Sequence, residues 1–485
     1  MLTKLIPAFK NSKLIYWINR FLSSPLHIAV VAILLTISSM DNNAGFLYYY
    51  ILLFTCIIIP FFIGYDMIAV VPLATMLNIG ISKGLRAQDP KVIMGSNLPH
   101  FIIFLTCVVI FLFGRLIFDL IVEKERRSRF PRFFISYICL LVAFCIGGAF
   151  SPYYLPRDFA FGLREFLALG GFYFYYFYTV DFTKIKKSYC AYLLFFFACS
   201  VALQILVEAI RVGAGPHLEV GWANRSGLGG TLVASFTCTI YLTIRKHPSY
   251  AWLFALCFYF FFTMICLTQC RGAAFTAMVL AIPCLVLILV YSPSITKIST
   301  ILITVIYIIV MICLGLFERE FFTECFGRLF NFDFDTLNEY SSGRITIWKT
   351  GLDQFIHNPL CGVGWYQIEG LGFQARYHNT VIQLLASTGI FGLVLYGYHR
   401  VDTIVAAFKT PRLEKTFAYM SIFCILVSSL LDCFLFNIWL GFEYSFLLFF
   451  IEGRNVTLRL KREAKKGVQV YQTKTGNTSI IIVNR

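Results

Sequence analysis

The sequence predicts an all-α, polytopic integral membrane protein of about 12–14 transmembrane helices with one long outer loop containing short helices. Three observations predict it. The 485 residues are 59% hydrophobic and only 14% charged, with a mean hydropathy of +0.75, whereas a soluble chain carries about 25% charged residues. Apolar runs of about 17 residues or more recur from end to end. A single long polar segment, Glu318 to His378, interrupts them.

In order, the apolar runs lie near 25–39, 46–64, 66–80, 101–121, 133–150, 159–180, 189–210, 226–244, 251–268, 272–291, 298–317, 379–398, 418–434 and 437–452. The runs 25–39 and 66–80 are short, and Asp432 to Asn437 alone separates the last two, which gives the count its range. Charge makes the count even. Residues 1–24 carry Lys4, Lys10, Lys13 and Arg20 without an acid, and residues 453–485 carry eight Lys/Arg against Glu463. Short basic flanks stay cytoplasmic, so both termini are expected inside. Glu123–Arg132, Asp181–Lys187, Arg245–His247 and His399–Lys415 are basic connections on the same side. Ser82–His100, also basic, falls outside by this count and fits it poorly.

The expected organisation is a membrane domain over 1–452, with 318–378 as an extracytoplasmic loop or lid, and a basic cytoplasmic tail over 453–485. The loop holds eight Asp/Glu against five Lys/Arg, in keeping with the outer side. The net charge of +16 sits mostly on inner flanks, where it orients helices and meets anionic lipid, so no nucleic-acid partner is expected. No cleavable signal peptide is expected, and the first helix serves as an uncleaved anchor. Most of the 16 cysteines fall in apolar runs as small hydrophobes. Cys325 and Cys361 share the outer loop and form a candidate pair in an oxidising compartment. No metal-ligand spacing is present. No repeat of 20–50 residues is found, which counts against a transporter.

Within the loop, Ser342 is a plausible N-cap, and Ile345, Trp348, Leu352, Phe355 and Ile356 recur at helical spacing. Asn358-Pro359 ends that helix, and Gly362-Val363-Gly364 reads as a turn. A short helix with Trp on its apolar face and Arg344 in its first turn would cap a cavity at the outer leaflet.

Arginines at predicted outer helix ends are the candidate anion-binding groups. Arg211 follows one span, Arg225 opens the next within Trp222–Gly229, and Arg271 opens another within Gln269–Ala274. The bland alternative is snorkelling to lipid headgroups. The functional one is a diphosphate gripped by bidentate guanidinium forks, with helix-start N–H groups beside them. His378, flanked by Arg376 and Asn379, is either an interfacial helix-start residue or a general base. An imidazole titrates near pH 6.5 in its ordinary state, which suits proton removal from a sugar hydroxyl. Asn379 would fix its tautomer or cap the helix. Arg157 near the outer surface is a secondary anion-site candidate. Arg115 and Asp119 stand four apart and most simply pair. Asp432 and Glu443 have no partner evident in the sequence.

The run Ser342-Gly343-Arg344-Ile345 to Gly351, then Asn358 to Gly364, then His378-Asn379 with Gln383 to Gly392, resembles the O-antigen ligase family, often grouped with O-antigen polymerases. Trp222–Gly229 and Gln269–Ala274 sit where that family carries its other short motifs, and the resemblance covers roughly residues 133–450. It implies a metal-independent glycosyltransferase of GT-C-like membrane architecture in the bacterial plasma (inner) membrane, with its site facing outside and no cofactor. The donor implied is an undecaprenyl-diphosphate-linked oligo- or polysaccharide. The acceptor is a glycan, either lipid A–core or another lipid-linked unit, and membrane lipids surround both. The family's loop histidine maps to His378, and its surface arginines map to Arg271 and to Arg225 or Arg211. Arg344, Arg376, Asn379 and Arg157 are the further substrate-binding expectations. A repeat-unit polymerase, a lipid-linked sugar flippase or exporter, and a scaffold subunit are the competing readings.

Overall fold

In lipid every backbone N–H and C=O must be paired within the protein, and this chain meets that demand with helices. The computed structural model describes residues 13–22, 24–40, 58, 98–122, 130–180, 188–213, 218, 220, 225–330, 343–365, 376–431, 444–456, 470–472 and 478–480. We number the helices α1 Lys13–Leu22, α2 Pro25–Met40, α3 Leu98–Val122, α4 Phe134–Ala149, α5 Pro156–Thr179, α6 Tyr189–Val212 and α7 Arg225–Arg245. They continue as α8 Pro248–Leu267, α9 Arg271–Tyr291, α10 Ser294–Phe317, α11 Arg319–Phe330, α12 Arg344–His357, α13 Thr380–Phe408 and α14 Arg412–Leu431. A last helix spans 444–456.

Among the described residues seven helices are long and apolar enough to cross a bilayer: α6, α7, α8, α9, α10, α13 and α14 from Leu413. The bent pair α1–α2, turned by 64°, makes an eighth candidate. The fold is therefore an all-α polytopic membrane protein. The expected runs 46–64 and 66–80 and the misfit segment Ser82–His100 lie almost wholly outside the described residues, as do Asp432 and Glu443. Tail residues Val470–Gln472 and Thr478–Ile480 pair as a small antiparallel hairpin.

α7 is the hub. Its spanning window is 83% buried against 6% for α10, which lies at the edge with its isoleucines outward. The sequence explains the difference. α7 is rich in Gly, Ser and Thr, and small residues let helix backbones approach closely in lipid. Its hydroxyls are satisfied within the helix: Thr231 Oγ1 donates to Gly227 O at 2.9 Å, Ser235 Oγ to Thr231 O at 3.0 Å and Thr243 Oγ1 to Thr239 O at 2.8 Å.

Ionic contacts define one end of the bundle. Arg132 Nη2 reaches Asp402 Oδ1 at 3.0 Å, and Arg245 Nη2 and Arg454 Nη2 reach Glu414 Oε1 at 3.0 and 3.3 Å. Arg132, Arg245 and the tail residue Arg454 come from basic segments that the charge count put on one side, while 123–129 and 181–187 lie outside the described residues. One expected connection needs correction. His399–Lys415 is not a loop, because α13 continues to Phe408 with His399 and Arg400 buried. Tertiary partners make that possible: His399 Nδ1 lies 2.9 Å from Ser136 Oγ and Nε2 lies 2.8 Å from Tyr444 OH. The Arg400 guanidinium sits 4.7 and 4.5 Å from the Tyr396 and Tyr444 ring centroids. Arg115 and Asp119 pair at 2.7 Å within α3, as their spacing suggests.

At the opposite end α13 is broken. Gly389 adopts φ 64°, ψ −164°, a backbone open to glycine and strained for any other residue. The break frees backbone groups, and the loop after α12 takes them up. Val363 N donates to Ala386 O at 2.8 Å, Gly364 N to Ser387 O at 3.1 Å and Ile390 N to Pro359 O at 2.9 Å. Ser151 Oγ donates to Val363 O, and buried Trp365 packs edge-on against Phe144 and Phe166. The Gly362–Gly364 turn of the polar segment is thus a wedge built into the bundle.

Candidate functional site

The starts of α7, α9, α12 and α13 and the last described turn of α14 are joined by a chain of contacts. α7 and α9 begin with Arg225 and Arg271. They adjoin directly: a Cβ added to Gly229, one turn into α7, would stand 2.7 Å from Ala273 Cβ and 3.4 Å from Cys270 Cβ. The Nη1 atoms of Arg225 and Arg271 are both shielded from solvent. α12 begins with Arg344, whose Nη1 donates to Leu431 O at the end of α14. That same nitrogen lies 3.9 Å from the Cβ position of Gly272, the residue after Arg271. α13 begins after His378-Asn379, and Asn379 Nδ2 donates to Leu430 O at 2.9 Å.

Arg344 and Asn379 therefore hold successive carbonyls of the last described turn of α14. A cation at a helix C-terminus offsets the partial negative charge there. This matters because a helix C-terminus alone would repel an anion, whereas the starts of α7, α9 and α13 attract one.

Asn379 is also the N-cap of α13. Its Oδ1 accepts from Val381 N at 2.9 Å and Ile382 N at 3.1 Å. The capping role foreseen for it is present, together with the unforeseen tie to α14. His378 is half-buried with φ 51°. Among the described residues the only other non-glycine with positive φ is Gln269, at 50°, two residues before Arg271. Strained backbone of this kind costs about 1–2 kcal/mol and tends to cluster at functional sites. Both strained residues lie just ahead of a helix that starts at this junction.

Helix α12 differs from the sequence expectation in two respects. Its N-cap is Gly343, left-handed at φ 76°, without a side-chain cap bond, while Ser342 lies outside the described residues. Its packed face also differs. Of the expected face Ile345, Trp348 and Phe355 are half-buried but Leu352 and Ile356 are exposed, and buried Gly351 with half-buried Arg344, Ile347 and Gln354 widen the packed side. The reason is the partner. Tyr377 lies against Gly351, where a Cβ would come within 2.6 Å of its ring. Trp348 Nε1 donates to Tyr377 O at 2.7 Å, and Tyr377 OH donates to Gln354 Oε1. A polar face fitted to one tyrosine carries no signal in hydropathy. The expected stop holds, with Asn358 as C-cap.

The remaining candidates separate. Arg376 is half-buried, two residues before His378. Arg211 lies in the last turn of α6 with its side chain 72% exposed, 3.9 Å from Glu208. Arg157 lies in the first turn of α5, and its side chain is outside the described residues. Cys361 is a free thiol, and the side chain of Cys325 is outside the described residues. Among the described residues no group of three or more His, Cys, Asp or Glu is placed to hold a metal ion.

Chemically, the junction offers guanidiniums and helix starts for an anion, and half-buried His378 immediately precedes the Asn379 that is tied to α14. Residues 254–397 match the family model described as O-antigen ligase. That stretch runs from within α8 to within α13 and includes Arg271, Arg344, Arg376, His378 and Asn379, while Arg225, Arg211 and Arg157 precede it. No curated protein matches the chain.

Proposed function

We propose that this chain, an O-antigen ligase family protein by its match over residues 254–397, transfers a glycan from undecaprenyl diphosphate to an acceptor sugar hydroxyl at the outer face of the plasma membrane. The family supports a glycan-transfer role in O-antigen and cell-envelope synthesis with lipid-linked glycan substrates. The observation that carries the finer reading is the meeting of the Arg225, Arg271 and Arg344 helix starts with the His378-Asn379 segment around the end of α14.

Arg271, Arg225 and Arg344 bind the diphosphate and offset the charge that grows on it as the anomeric C–O bond breaks. His378 accepts the proton of the acceptor hydroxyl while that oxygen bonds to the anomeric carbon from the opposite face. The electron pair of the broken bond leaves with undecaprenyl diphosphate, and the imidazolium returns its proton to water. One displacement inverts the anomeric centre. Because the leaving group is already a diphosphate, positioned arginines suffice without a metal. Arg376 and Arg157 are secondary contacts for anionic substrate groups, and Arg211 is a peripheral one. The polar segment 318–378 faces outside, and the tail 453–485 faces the cytoplasm.

Purified protein in lipid nanodiscs, given a polyprenyl-diphosphate oligosaccharide with lipid A–core or a second lipid-linked unit as acceptor, tests this. The expected result is transfer unaffected by EDTA, with inverted stereochemistry, and lost by about 10²-fold or more in His378→Ala, as for a general base. Full activity in that variant, or abolition by chelator, would overturn it. The acceptor that is elongated separates ligase from polymerase.

A further inference from the structure

We propose that Trp348 is a positioning residue for His378, acting through the backbone of Tyr377 and touching neither substrate; this rests on His378 being the base.

The Tyr377 carbonyl and the His378 N–H belong to one rigid peptide unit. Rotation of that plane changes φ at His378 and ψ at Tyr377, and where the two do not cancel it swings the His378 Cα–Cβ bond. In the structure φ is 51°, a conformation that persists only where its surroundings over-determine it. Left to itself, the 377–378 plane would turn over and return His378 to the broad negative-φ region. The contacts that prevent this are specific. On the far side of His378, Asn379 is fixed by its cap bonds and by Leu430. On the near side Tyr377 N donates to Gln383 Oε1 at 3.1 Å, and its buried ring lies against Gly351. These fix Tyr377 itself, yet the 377–378 plane needs its own anchor. Trp348 Nε1 supplies one at 2.7 Å from Tyr377 O, at the short end of the N–H···O range.

Trp348 is also one helical turn from Arg344 on the same face of α12. The helix that brings Arg344 to Leu431 O therefore sets the peptide plane of the base. Docking of α12 and alignment of His378 become one event. An undocked α12 would leave the imidazole misaligned, which guards the donor against attack by water before the site is assembled.

The test replaces Trp348 in two ways. Trp348→Phe removes the N–H and shrinks the ring. Substitution by 3-benzothienylalanine keeps the ring shape and puts sulfur in place of the N–H, so folding is preserved while the donor is lost. Misplacement of a reacting group by ~1 Å costs up to about 10²-fold in rate. Both variants should therefore lose kcat by about 10- to 100-fold, with KM for donor and acceptor within about twofold of the parent. Parent-like kcat in the benzothienyl variant would overturn the proposal, whatever Trp348→Phe does, because the ring and not its N–H would then be what matters. A change confined to KM would overturn it too. His378→Ala is measured alongside: if that variant is fully active, the base assignment fails. If it is inactive while the benzothienyl variant is active, only the positioning role fails.

Discussion

Gly351→Ala is the sharpest single test of the way α12 meets the site. The new methyl carbon would stand 2.6 Å from both Tyr377 Cδ1 and Ile382 Cγ2 and 2.7 Å from Tyr377 Cε1. Carbon atoms in contact settle near 3.5–4.0 Å, so about 1 Å of movement is required. Tyr377 cannot supply it cheaply, being 1% exposed and bonded through its N, O and OH. Ile382 lies in the first turn of α13, beside the Asn379 cap. The movement therefore falls on α12, which shifts outward as a body. Overpacking of this kind costs about 1–3 kcal/mol, comparable to the Trp348 and Tyr377 hydrogen bonds at about 0.5–1.5 kcal/mol each. The expected result is a partly undocked α12, with faster hydrogen exchange over 344–357. The rate of glycan transfer from a polyprenyl-diphosphate donor should fall by about 10- to 100-fold. The same exchange measurement over α7 and α9 should be unchanged. Parent-like exchange over α12 together with parent-like transfer would refute the claim that this contact is tight and matters to the site.

Other outcomes follow from the same geometry. Arg271→Lys and Arg225→Lys should retain charge but lose the bidentate fork, giving roughly tenfold weaker donor binding, with Arg271→Ala weaker still, as measured by donor titration of transfer rates. Arg211→Ala, at an exposed helix end, should change transfer by less than about twofold. Gly389→Ala should destabilise by about 1–2 kcal/mol from the positive φ alone. The added clash with the Leu360 carbonyl should make it the least stable single variant in thermal denaturation in detergent. Glu414→Ala would leave Arg245 and Arg454 facing each other without their shared carboxylate. Its cost should be about 1–3 kcal/mol, below the usual loss for a buried pair because Arg245 is 35% exposed, and a thermal shift measures it.

Where the helices lie was legible because hydropathy and length suffice for it. The apolar runs 189–210, 226–244, 251–268, 272–291 and 298–317 each coincide with one helix to within about four residues at either end. The run 379–398 stopped ten residues early because His399 and Arg400 read as a boundary. Their burial depends on Ser136, Tyr396 and Tyr444, residues distant or unmarked in the sequence. The short motifs around Arg225, Arg271, Arg344 and His378 were visible as polar or small-residue segments at helix starts.

The sequence by itself determined a helical membrane protein, the grouping of its basic connections at one end, and the residues offered for anion binding and proton transfer. Bilayer thickness and charge asymmetry act on local stretches of chain, so local composition records them. Only the tertiary structure decided that the starts of α7 and α9, which carry Arg225 and Arg271, pack together, with Gly229 against Ala273. It also decided that Arg344 and Asn379 share the end of α14, and that α12 turns its Trp348–Gly351–Gln354 face to Tyr377. Those outcomes depend on the left-handed backbone at His378 and on hydrogen bonds between residues up to 87 positions apart. Hydropathy does not encode such pairings, because a buried polar contact between helices is set by the partner it finds.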